Sequence, residues 1–262
     1  MLSLISFSFN RSAQCDLTLS TLKRQFKDFD DSKISIIYKY SSQEMMNGYL
    51  LLMKMYPGIN WVLEADFRSD FLGLLNKVET PLVSFFVDDD IFIDKFSLED
   101  IEFQQFIDDT SIATLSLRLD GTKNYCYPMS EHYGTPSTNR YAWRGVGGDA
   151  GYPWSLACCN IFRLNDVKSH WNNSQFNSPN ALEQSLCNYS FPGKDHMLRY
   201  DRAKAYCVAN NKIQNYNSNK NENTHDHTML NNEFLSGKRL DETIYDNFRS
   251  NAAHGPAEYI WK

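Results

Sequence analysis

The chain has 262 residues, of which 42% are hydrophobic, 22% charged and 14% aromatic, with a net charge of −6 and a pI near 5.5. The aromatic share excludes a disordered chain. The acidic balance argues against a protein that grips nucleic acid through its phosphates, which needs a basic face. Six Cys at 15, 126, 158, 159, 187 and 207 form no CxxC pair, so reduced thiols in a cytosol are the expectation.

The first residues, MLSLISFSFNR, are apolar but lack a basic leader and a small-residue cleavage site. They read as a first strand rather than a signal peptide. No stretch reaches the roughly 20 apolar residues of a spanning helix. Leu19, Leu22, Phe26 and Phe29 follow at helical spacing. A second strand is expected over 34–40, and Ser41-Ser42-Gln43-Glu44 is a capping pattern for the next helix. Tyr49, Leu52, Met53 and Tyr56 mark that helix, which Pro57-Gly58 stops. A third strand over 60–64 precedes a helix carrying Phe71, Leu74, Leu75 and Val78. Residues 81–87 (PLVSFFV) form a continuous apolar run of the kind that a buried central strand shows. The order β-α-β-α-β-α-β predicts an α/β fold with a doubly wound sheet.

Beyond the fourth strand the pattern loosens. A helix over 97–108 and a strand over 111–119 are expected, then a Gly-, Pro- and Tyr-rich loop over 120–153. A strand-like segment over 155–164, a short helix from Pro179, a strand over 204–209 and two short helices over 229–236 and 240–248 follow. Gly237 is a plausible cap between the last two. Seven Asn between 210 and 223 suggest a surface loop. The expected organisation is a single domain, 1–262, with no linker.

Asp88-Asp89-Asp90 follows the fourth strand directly. Adjacent carboxylates at close range repel by about 4 kcal/mol per pair at an effective dielectric of 20. At the carboxyl end of a buried strand, where α/β sheets bind ligands, that repulsion calls for a cation or for hydrogen-bond donors. Oxygen ligands of this kind suit Mg²⁺ or Mn²⁺. The alternative is a solvated turn capping the next helix.

This arrangement resembles the GT-A fold of nucleotide-sugar glycosyltransferases, close to family 2: a mixed sheet flanked by helices in one domain, with a nucleotide-sugar-binding half (1–95) and an acceptor-binding half (96–262). The resemblance is sharpest over 1–95, in the DxD motif and in the block 147–156 (GGDAGYPWSL) with NIFR at 160–163. It implies that Asp88 faces the donor ribose or bridges to the metal through water, with Asp89 beside it, and that Asp90 ligates Mn²⁺ or Mg²⁺. Phe9, Asn10 and Arg11 match the loop under the nucleotide, and Phe67 and Arg68 lie where base or diphosphate contacts occur. The catalytic base of an inverting reaction would be Glu183, with Asp149 as its rival, and His254 would be a further metal or diphosphate contact. Tyr152 and Trp154 could stack on acceptor sugar faces. Lys39 and Tyr40 stand where the family usually has acidic residues that read the base. The resemblance implies sugar transfer from a nucleotide-diphosphate donor to a hydroxyl of a saccharide or glycolipid acceptor, in bacterial polysaccharide or glycoconjugate synthesis. It also implies a cytoplasmic setting, at most peripheral membrane contact and no nucleic-acid partner. Two other readings keep the acidic motif: a non-catalytic carbohydrate-binding protein, and a haloacid-dehalogenase-type phosphohydrolase with Asp88 as nucleophile and Asp90 as acid/base.

Overall fold

The computed structural model describes residues 1–135, 137–142, 158–211, 220 and 225–262. Its first part realises the alternation expected from the sequence: β1 (Leu2–Phe9), α1 (Ser12–Gln25), β2 (Ile34–Lys39), α2 (Gln43–Met55), β3 (Asn60–Leu63), α3 (Phe67–Lys77) and β4 (Leu82–Val87). Strands β1 and β4 are buried on both faces because each is covered by helices on both sides. Leu4 and Phe86 point into one core, and Ile5, Phe7, Val83 and Phe85 into the other. Ser42 caps α2 by accepting from the Met45 amide at 3.3 Å, and Asp66 caps α3 by accepting from the Ser69 amide at 2.9 Å.

The next elements are β5 (Asp90–Phe92), α4 (Ile101–Asp108), β6 (Ile112–Ser116), β7 (Tyr125–Cys126), β8 (Glu131–His132), β9 (Arg140–Ala142), β10 (Asn160–Arg163), α5 (Leu164–Asn173) and α6 (Pro179–Cys187). They are followed by β11 (His196–Arg199), β12 (Ala205–Val208), α7 (His227–Leu235), a 3-10 turn over Glu242–Tyr245, and β13 (His254–Gly255). The large sheet has the order β3-β2-β1-β4-β10-β6-β11-β9. It is parallel from β3 to β4, and β10 then runs antiparallel to both β4 and β6. The sheet is therefore mixed and flanked by helices on both faces, as the resemblance implies, with β3-β2-β1-β4 as the parallel part on this side. A smaller sheet, β13-β12-β5, stands beside it.

Several elements depart from the sequence expectation. Helix α4 begins four residues late because Asp28 Oδ2 accepts from the Leu98 amide at 2.8 Å and from Ser97 Oγ at 3.0 Å, holding that stretch in a turn. Helix α5 is an addition to the expected elements and follows β10 with no intervening turn residue. Its buried residues Leu164, Val167 and Trp171 form a helical stripe, and Trp171 packs edge-on against Phe85 at 4.7 Å. Strands β7, β8 and β9 lie in the stretch expected as loop, and β11 is too short to show a period. The second C-terminal helix is only the 3-10 turn, capped by Asp241. Gly237 does end α7, with φ +100°. Most of the Asn-rich tract lies outside the described residues.

Helix α7 closes over α1 and α2. A side chain at Gly48 would collide with Asn231 Oδ1 and Ser12 Oγ, so glycine is what lets the three helices approach. Among the described residues, no helix is long and apolar enough to cross a membrane.

Candidate functional site

The site lies at the carboxyl edge of β2, β1 and β4. Strand β1 ends in a left-handed residue, Asn10 (φ 55°), a conformation that Asn tolerates better than most side chains. Its amide makes a two-way link to the β2 exit, donating to Ser41 Oγ at 2.7 Å and accepting from the Ser41 amide at 2.9 Å. This turn aims Arg11 at the acidic triplet. Nη1 of Arg11 donates to Asp88 Oδ1 at 3.0 Å and to Asp89 Oδ2 at 2.7 Å, and Nη2 donates to the Asn211 carbonyl at 2.7 Å. Burial works against the guanidinium's charge, but Asp89 and Asp88 more than offset it and raise its pKa. Phe9, at the strand end, is 38% exposed, and its amide donates to Asp88 Oδ2 at 3.1 Å.

The three carboxylates occupy different surroundings. Asp88 is buried and its pKa is pushed up to about 6 by burial, against the pull of Arg11. Both of its oxygens are engaged by Arg11 and the Phe9 amide, so it offers no open face as a phosphohydrolase nucleophile would. Asp89 is partly open, and Cys207 Sγ lies 3.7 Å from its Oδ1. Asp90 is fully buried. Its Oδ2 accepts from the Val87 amide at 2.9 Å, while Oδ1 has no hydrogen bond among the described residues. Burial pushes its pKa up to about 7, opposed by Arg118.

The small sheet brings His254 to the same place. Cys207 on β12 pairs with Asp90 on one side and with His254 on the other, so these three residues form one row across the strands. Burial, then the charge of Arg118, lowers the His254 pKa to about 4, which leaves its ring neutral at ordinary pH. Tyr127 lies over that ring, with centroids 6.4 Å apart. Glu183, on α6, accepts from the Cys158 amide at 3.2 Å. The adjacent Cys159 is left-handed (φ 55°) and its buried thiol feels the charge of Asp90. The turn over 158–159 thereby links Glu183 to the triplet's surroundings.

Other expected site residues are used differently. Phe67 is a core residue, edge-on to Phe7 at 5.2 Å, because the first turn of α3 packs onto the sheet. Arg68 donates to the carbonyls of Ser174 and Asn172, both at 2.9 Å, and so fastens the end of α5. Lys39 pairs with Glu64 at 2.8 Å. Asp149, Tyr152 and Trp154 lie outside the described residues. Sequence reasoning missed Arg118 and Cys207. A charged residue inside the apolar run 112–119 was the available signal for Arg118; nothing marked Cys207.

Among the described residues no three His, Cys, Asp or Glu side chains are gathered as a ready cation cage. The donor set nevertheless fits a hard divalent ion. Asp90 keeps an unbonded buried oxygen, Asp89 is partly open and His254 is neutral. Mg²⁺ and similar ions commonly take one or two carboxylates and complete their shell with water and phosphate.

No family model matches the chain. The bifunctional glycosyltransferase pgtA of Dictyostelium discoideum is 23% identical over 281 residues, which cover 93% of this chain but 35% of that protein. The chain thus spans about a third of that relative's length. Staphylococcus aureus TarS has a similar fold, with TM-score 0.50 and 16% identity over 79% of this chain and 37% of its own. TarS 1–349 in complex with UDP-GlcNAc gives TM-score 0.50 and 15% identity, over 86% and 61% of the two chains. The same fragment with UDP gives 0.51 and 16%, over 80% and 60%. The chain is thus similar in sequence to a glycosyltransferase, over about a third of that protein, and its mixed sheet with helices on both faces is similar in fold to TarS.

Proposed function

We propose that this chain transfers a sugar from a nucleotide-diphosphate donor to a hydroxyl acceptor, with inversion at the anomeric carbon. The observation that carries the reading is the acidic triplet at the carboxyl edge of β4, built into one cluster with Arg11, Cys207 and His254. The solved relatives with UDP-GlcNAc and with UDP add support for a nucleotide-sugar donor.

In this reading residues 1–95 hold the donor and 96–262 the acceptor. Asn10 and Arg11 shape the floor under the nucleotide, and Phe9 lines its edge. Asp88, kept by Arg11, orients the loop, and Asp89 stands toward the donor. Asp90 and His254 would hold Mn²⁺ or Mg²⁺, which when bound supplies positive charge against the leaving diphosphate. Glu183 takes the proton of the acceptor hydroxyl as its oxygen forms a bond to the anomeric carbon. The bond from that carbon to the diphosphate oxygen breaks on the opposite face, and the nucleoside diphosphate leaves with the electron pair. Asp149 is the second candidate for the base, and Tyr152 and Trp154 are candidates for acceptor stacking. A saccharide or glycolipid acceptor in polysaccharide or glycoconjugate synthesis suits the reaction, with the enzyme in the cytoplasm and any membrane contact peripheral.

Thermal shift with UDP, GDP and dTDP, each with Mn²⁺ or EDTA, tests the donor side. Stabilisation by one nucleotide that depends on Mn²⁺ is the expected result. No stabilisation by any of the three would overturn the reading.

A further inference from the structure

Arg118 is the buried cation of the site to which the transfer reading gives no role. It follows β6 and is 3% exposed. Its Nε and Nη2 both donate to the Ala253 carbonyl, at 3.3 and 3.2 Å. Ala253 immediately precedes His254, which pairs through Cys207 with Asp90. At this end of the triplet the guanidinium's charge favours the ionised form of Asp90 against its burial. The other arginine, Arg11, directs its bonds to Asp88, Asp89 and Asn211.

Burying a guanidinium is costly, and an apolar side chain of similar volume would often stabilise the fold as well or better. What Arg adds is a rigid fork of donors with a permanent charge. Here the fork grips the strand that carries His254, while the charge opposes the carboxylate that His254's neighbour faces. The three carboxylates outnumber the two guanidinia, and a divalent cation adds the positive charge that a diphosphate meets.

We propose that Arg118 is a positioning residue that fixes the His254 strand beside Asp90, so that a divalent cation arriving with a nucleoside diphosphate meets a pre-set pair of ligands. The proposal rests on the transfer reading above. Partners that orient metal ligands in this way typically contribute about 10- to 100-fold in metal affinity.

The test uses Arg118→Lys and Arg118→Met in the full chain. Free Mn²⁺ is followed by electron paramagnetic resonance during titration, with and without UDP, and melting curves serve as the control for folding. Arg118→Met is expected to weaken Mn²⁺ binding in the presence of UDP by at least about tenfold. Arg118→Lys, which keeps the charge but not the fork, should recover part of that loss. Wild-type affinity in either folded variant would overturn the proposal. If Arg118→Met does not fold, Arg118→Lys decides alone: a weakened complex with a normal melting curve supports the role, and an unchanged complex refutes it. Wild-type protein that binds no Mn²⁺ with UDP, GDP or dTDP would overturn this proposal, whereas the transfer reading falls only if none of the three nucleotides stabilises the chain.

Discussion

Arg11 Nη1 stands 2.7 Å from Asp89 Oδ2, and the same nitrogen reaches Asp88. One guanidinium therefore bridges two adjacent carboxylates and joins the exit of β1 to the exit of β4. Both partners are largely out of water, with side chains 11% and 17% exposed. Removing one partner of such a pair leaves uncompensated charge in a poorly solvated place. Arg11→Met is expected to lower stability by about 3 kcal/mol, read from urea unfolding at neutral pH. It should also loosen UDP binding in the molecules that remain folded.

Asp90→Asn separates the catalytic from the structural role of the triplet. The side chain is buried, accepts from the Val87 amide and has a raised pKa. The neutral amide retains the acceptor oxygen and loses the charge. Sugar transfer should fall to background while melting curves remain cooperative. Full transfer by the variant, or by wild type in EDTA, would contradict a metal-holding role for Asp90.

The same residue shapes stability against pH. Burial raises the pKa of Asp90 from 3.8 to about 7 and that of Asp88 from 3.8 to about 6. The folded chain thus binds more protons than the unfolded chain at these two groups, and their contribution to stability falls as pH rises across that interval. His254 acts in the opposite sense. Its pKa is lowered from 6.5 to about 4, so its contribution is lost as pH falls through that range. In metal-free buffer the Asp90→Asn variant should gain melting temperature over wild type at about pH 8 and much less at about pH 5. Equal gains at both pH values would show that Asp90 carries no such burial cost.

Glu183→Gln tests the base. Its carboxylate accepts from the Cys158 amide at 3.2 Å, a bond that the Gln amide oxygen can keep. General-base catalysis is worth about 10²- to 10⁴-fold, so turnover should drop by at least about 100-fold with UDP affinity unchanged. Retained turnover would move the role to Asp149.

A distant latch supports the donor side. Asp16 on α1 is 1% exposed and accepts from Arg239 Nε at 2.7 Å and from Tyr56 OH at 2.8 Å. Arg239 belongs to the C-terminal segment that also carries β13. Arg239→Met should destabilise the chain by about 3 kcal/mol in urea unfolding. Because the latch residues bond to no site residue among those described, UDP affinity of the folded variant should match wild type.

The amino-acid sequence by itself determined the β-α alternation of the first 90 residues and the position of Asp88–Asp90 at the end of β4. Both follow from local physics: periods of two and of 3.6, capping at Ser42, and a run buried on both faces. Asn10 and Arg11 were named through the family resemblance, as the turn that leaves β1. The downstream half was less so, because α5 and β11 are short and their apolar residues gain meaning only against the sheet. Only the tertiary structure decided that Phe67 is a core residue, that Arg68 fastens α5, and that Asp90, Cys207 and His254 share one row. It also revealed the Arg118 bond to Ala253, which joins residues 135 apart in the chain. Pairings over such distances leave no period in the sequence. They are chosen when the small sheet closes beside the triplet and each buried charge must find its partner.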